Sequence, residues 1–213
     1  MWFYPLNVNR SQNSAFVRCT FGDVSGGNYA EFNGSGFLMF YGNARAYRDF
    51  NFGYGSLGTG ATAPDPIALN ASTIRIYGFD GNATTEQVFA SLELDHDWAE
   101  GTILYPHVHW CPSTTNAGDV QWSMDYILCA DDAVAGAAVT TTVTQTSPGV
   151  AWTQKRADFT PTITTTGYKI DTQLSIRLYR NPGNDSYPDD AGLITFGLHV
   201  ILNTLGSSQI GTK

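Results

Sequence analysis

The feature that most constrains this chain is a two-residue alternation of apolar and polar side chains. It begins near residue 73 and returns, segment after segment, up to residue 204. In 86–94, Val88, Ala90, Leu92 and Leu94 share one face. In 120–128 the shared face is Trp122, Met124, Tyr126 and Leu128; in 169–180 it is Leu174, Ile176 and Leu178. In 193–204 it is Ile194, Phe196, Leu198, Val200 and Leu202. Alternate residues of a strand point to opposite faces, so each segment reads as a half-buried strand. Segments 73–79, 103–111 and 139–146 read as strands too. Turn clusters separate them: Gly81-Asn82, residues 112–118, and the Asn-, Pro- and Asp-rich run 181–190. No stretch between them repeats at helical spacing. The expectation is an all-β chain: a jelly-roll-like antiparallel β-sandwich over residues 71–213.

Residues 1–70 break this rhythm. Asn and Gly interrupt any period in 1–35, while Trp2, Phe3, Tyr4, Phe16, Phe21, Tyr29 and Phe32 are interleaved. This reads as an irregular N-terminal arm, either anchored on a neighbour by its aromatics or packed on its own domain. Short strands fit 36–41 and 44–50. The Gly- and Pro-rich stretch 51–70 reads as a loop and marks the expected boundary between a 1–70 region and the sandwich.

Charge narrows the partners. A net charge of −8 with eleven basic residues does not supply the clustered Lys and Arg that phosphate binding needs, so no nucleic-acid partner is expected. The same balance disfavours an anionic membrane surface, and no run of 18 apolar residues is present. Residues 1–6 are apolar but short, lack a basic region and contain Pro5, so no secretory signal is expected. Cys19, Cys111 and Cys129 are too widely spaced for a zinc pattern and odd in number, which reads as three reduced, partly buried thiols.

The chemical candidates are histidines. His107 and His109 stand two apart in a predicted strand and project from one face, as half of a metal site would. If Val108 and Trp110 face the core, then Tyr105, His107, His109 and Cys111 face away from it, as does His199 on its own strand. Those outward positions are aromatic or small rather than charged, which predicts a subunit interface at Tyr105, His107, His109 and His199. Gly101 before the pair, and His199 followed by Asn203, resemble the motifs of the cupins, a metal-binding jelly-roll family. That resemblance implies a metal on His107, His109 and His199. The cupin Glu, however, is replaced by Ser113 or Thr114, and the Pro and Gly expected before the late His are Ile194 and Phe196. The expectation is therefore no metal, no cofactor and no catalytic residue. Asp185, Asp189 and Asp190 read as turn formers rather than Ca²⁺ ligands, and Asp95, His96 and Asp97 as a solvated strand end.

Four stretches carry a second resemblance: Asp97-Trp98-Ala99-Glu100-Gly101, Tyr105-Pro106-His107-Val108-His109-Trp110, residues 187–193, and residues 203–209. They resemble β-rich auxiliary virion proteins of tailed bacteriophages, across roughly the last 140 residues. The resemblance implies a non-enzymatic virion component, made in the bacterial host cytoplasm and assembling as a homotrimer. It implies a capsid cement or decoration protein that binds the major capsid protein and stabilises the head. The alternative is a tail-fibre or spike component that binds a host surface glycan. A cupin-like metal-dependent enzyme is the alternative from another class.

Overall fold

The computed structural model describes residues 8–10, 17–81, 86–207 and 209. Four strands precede the main body: β1 (Val8–Arg10), β2 (Val17–Asp23), β3 (Asn28–Phe32) and β4 (Leu38–Phe40), which form one antiparallel sheet in that order. The remainder is β5 (Ala46–Gly53), β6 (Gly58–Thr59), β7 (Asp65–Ala68), β8 (Arg75–Phe79), β9 (Gln87–Glu93) and β10 (Tyr105–Pro112). β11 (Asp119–Cys129), β12 (Val139–Thr146), β13 (Lys155–Asp158), β14 (Gln173–Arg180) and β15 (Ala191–Leu202) complete it.

The last eight strands pair as β13-β10-β15-β8 and β12-β11-β14-β9. These are the two four-stranded sheets of a jelly roll, which confirms the fold expected from periodicity. The jelly roll opens at Arg75, close to the expected start at 71. The stretch 51–70 is not a loop, however. β6 adds to β9, β7 adds to β8, and β5 runs along β15 over eight register pairs. The expected division after residue 70 therefore coincides with no break in pairing. Most Gly and Pro residues there sit between short strands or at their ends, with Pro66 inside β7, and alternation in two- to four-residue strands is too brief to read.

The core lies between the sheets. Trp98, Trp110 and Trp122 are fully buried there with Phe79, Leu94, Leu104, Phe159, Phe196 and Leu198. The expected inward faces of β9, β11 and β14 are observed. β15 departs in one place. Its register with β10 slips between His109 and Trp110, where Thr195 and then Leu193 are the partners, leaving Ile194 unpaired. This β-bulge shifts parity, so Leu193 rather than Ile194 faces inward.

The run 181–190 is held from inside. Arg180 and Asp185 side chains are each 1% exposed and form an ion pair at 2.6 Å. Arg180 also donates to the carbonyls of Phe79 (2.8 Å), Asp189 (2.6 Å) and Tyr187. Asp189 accepts from Thr114 (2.6 Å) and Asn116 (2.8 Å), which holds its carboxyl below the usual range. Asp95 and Asp97 are likewise engaged, both paired to Arg48 of β5. That strand end, expected to be solvated, is an ion-pair knot. Arg180→Leu should cost about 3–5 kcal/mol, because it strands a buried carboxylate and the carbonyls Arg180 serves. Arg156→Ala, at an exposed pair, should cost under about 1 kcal/mol. Urea unfolding of both variants measures the difference.

Candidate functional site

Strand register builds one polar patch on the outer face of the β5/β15/β10/β13 sheet. Asp49, His199 and Tyr105 lie in one lateral row. Asn51, Gly197, His107 and Asp158 form the next, and Gly53, Thr195, His109 and Arg156 the third. The structure thus brings together the four residues expected to form a subunit interface: Tyr105, His107, His109 and His199. It adds Asp49, Arg156 and Asp158, which no spacing in the sequence joins to them.

The three imidazoles pack on one another. His107 lies 4.3 Å from His199 and 5.1 Å from His109, ring centre to ring centre. Gly197 makes room for this. A Cβ there would stand 2.3 Å from Nε2 of His107, so the ring lies across the glycine. His107 is only 2% exposed within one chain. Burial, and then the neighbouring His199, push its pKa down to about 4. Burial also lowers that of His109, whose Nδ1 is 2.8 Å from Gln154 Nε2. His199 Nε2 lies 2.8 Å from Asp49 Oδ1. One nitrogen of His109 and one of His199 thus have intrachain partners, and the rings meet edge-on (87°) or tilted (42°). Among the described residues, no group of three His, Cys, Asp or Glu is placed to hold a metal ion.

Further along the same face the sheet is sealed. Ile76 occupies the space beside Gly192, and Ile67 of β7 covers Gly78. Cys111 is buried there, and its thiol is pushed up to about 11 by burial. Cys19 and Cys129 are free and partly buried. At the other end the patch opens into a cleft of about 330 Å³ lined by Tyr47, Tyr105, Arg156, Asp158, Thr160 and His199, among others. Tyr47 is 64% exposed and meets Tyr105 edge-on at 5.9 Å. Alternation in 46–53 could have placed Tyr47 and Asp49 on one face, but only the pairing of β5 with β15 places that face beside His199.

No protein-family model matches this chain, and no curated protein does. Solved structures similar to it include TmCBM61 in complex with β-1,4-galactotriose, at 12% identity and TM-score 0.31 over 71% of this chain and 86% of that one. CBM28, a carbohydrate-binding module specific for non-crystalline cellulose, is similar at 10% identity and TM-score 0.32 over 72% and 88%. The fold given above rests on this chain's own strand order.

Two opposed titrations follow from the geometry. His107, neutral when folded down to about pH 4, costs stability as pH falls from its unfolded value of 6.5. Glu86 acts the other way. Burial and the nearby Asp80 and Asp65 carboxylates raise it to about 7, so it costs stability as pH rises from 4.5. Relative to the parent, His107→Gln should gain thermal stability as pH drops from 6.5 to 4.5, and Glu86→Gln should gain it as pH rises over the same interval. Melting temperatures across that range measure both slopes. Gly197→Ala should cost about 1–3 kcal/mol at any pH by displacing the His107 ring.

Proposed function

We propose that this chain is a non-enzymatic structural protein of a tailed-phage particle: a homotrimeric cement or decoration protein that binds the major capsid protein. The observation that carries this reading is an uncovered apolar face on the N-terminal sheet. Cys19 pairs with Phe32, and Phe32 with Leu38; Phe21 pairs with Ala30, and Ala30 with Phe40. Directly opposed residues share a face, so all six side chains lie together and none is charged. Phe21 and Phe32 stay 50% and 44% exposed. The opposite face holds the stacked pair Tyr29 and Tyr41, 4.5 Å apart, and buries Glu31, which accepts from the Tyr41 hydroxyl at 3.0 Å.

A sheet with its carboxylate buried and its phenylalanines open needs another surface to cover them. For a chain of net charge −8, an uncharged face is also where two copies meet with least repulsion. The sheet is joined edge-on to the body, where the Phe40 N–H donates to the Asn203 carbonyl at 2.8 Å. It stands in the region expected to act as an aromatic arm. The histidine patch fits the subunit-contact role less well, since His107 is already covered within one chain.

Native mass spectrometry of the full chain should give a metal-free trimer. The double variant Phe21→Ser/Phe32→Ser should shift it toward monomer while the jelly roll keeps its melting temperature. A trimer that survives the double variant would move the contact to Tyr105, His109 and His199. A parent chain that is monomeric and holds a metal would overturn the reading. Quantifying the chain in purified particles separates the two virion roles: copy numbers near that of the shell protein mean cement, and a handful per particle means the tail.

A further inference from the structure

We infer that the cleft between β5, β10 and β13 is a binding site for a neutral oligosaccharide. This site is built within one chain and does not rest on the particle role proposed above. Its floor and wall are the edge-on pair Tyr47 and Tyr105, 5.9 Å apart, with Tyr47 standing 64% exposed on a strand. An exposed tyrosine on a rigid strand offers an apolar ring face at little entropic cost, and the C–H face of a sugar ring is the complementary shape. Around it stand planar groups already held in pairs. Arg156 and Asp158 are bonded at 2.6 Å with side chains 44% and 60% exposed. His199 and Asp49 are paired at 2.8 Å with 22% and 54% exposed.

Such pairs present a fixed donor beside a fixed acceptor. Vicinal hydroxyls, each able to donate and accept, match that arrangement. Thr160 and Thr162 add hydroxyls at the rim. The volume, about 330 Å³, lies at the low end of small-molecule clefts and suits a short saccharide unit.

Other ligand classes fit worse. Arg156 is neutralised by Asp158, and a second carboxylate, Asp49, stands nearby. With a chain charge of −8, this disfavours phosphates and acidic sugars. A lipid or apolar ligand would strand the charged pairs without water. A second cleft, of about 400 Å³, is lined by Phe89, Ser56, Ser91 and Ser175 with no charged group, and serves as the control.

The test is an array of neutral oligosaccharides beside others bearing uronic or sialic acids, probed with the full chain. Calorimetric titration of the best neutral binder follows. Tyr47→Ala should weaken binding at least tenfold and Asp158→Asn several-fold, while Phe89→Ala leaves it unchanged. Both substituted cleft side chains are well exposed, so these variants keep the fold. An array with no neutral binder overturns the inference. So does a preference for the acidic sugars, or a loss of binding on Phe89→Ala with Tyr47→Ala unaffected.

Discussion

The buried guanidinium of Arg180 ties this structure together. It sits where β14 ends, pairs with Asp185, and donates to carbonyls of β8 and of the segment leading to β15. An isolated buried charge is expensive, so the side chain is stable there only when every donor is met. Meeting them fixes how the chain leaves one sheet and starts the long central strand of the other. β15 then pairs with β10 on one side and with both β8 and β5 on the other. Its register carries Gly197 beneath His107 and His199 beside Asp49. The chemistry of the outer face is thus a consequence of how one turn is anchored on the far side of the core.

That outer face shows what burial does to titratable groups. Three imidazoles packed together on a sheet invite a metal or proton-transfer reading. Yet desolvation holds His107 neutral well below its ordinary range, and its nearest ring neighbours are other histidines. The glycine beneath it is the structural counterpart, since a Cβ there would run into the ring. Histidine serves here as a compact aromatic that tolerates a partly polar setting. The opposing titration of Glu86 near the end of β8 offsets its acid-side cost.

Much of the jelly roll was legible because its strands are long enough to repeat. Strands of seven to twelve residues in β9, β11, β14 and β15 give enough alternation to outweigh any local ambiguity. The shared face of Tyr105, His107 and His109, and the outward place of His199, were legible for the same reason. What was not legible depends on contacts distant in sequence. The bulge at Ile194 has no local signature, because it is set by the partner strand. β6 and β7 are too short to show a period, and their Gly and Pro residues look like loop chemistry. Arg156 and Asp158 reach the histidines only through β13 pairing with β10, some 50 residues away. A pair of opposite charges two residues apart reads alone as a solvated strand. The cleft, assembled from β5, β10, β13 and the residues after β13, could not be read from any single stretch.

The two surfaces left open differ in what they ask of a partner. The N-terminal sheet offers a face of six side chains, phenylalanines among them, whose one polar group is the weakly hydrogen-bonding Cys19 thiol, so its contact gains from area and excludes water. The cleft offers fixed donors and acceptors around two phenol rings, so its contact gains from geometry and tolerates water at the rim. A protein that had to hold its copies together while meeting a hydroxylated surface would need both kinds, placed on separate elements so that filling one leaves the other free. The chain meets that requirement. Among the described residues the apolar sheet meets the body along its β4 edge, while the cleft is lined from β5 and from strands of the jelly roll. Loss of the sheet contact should therefore leave the cleft intact, because no lining residue of the cleft belongs to β1–β4.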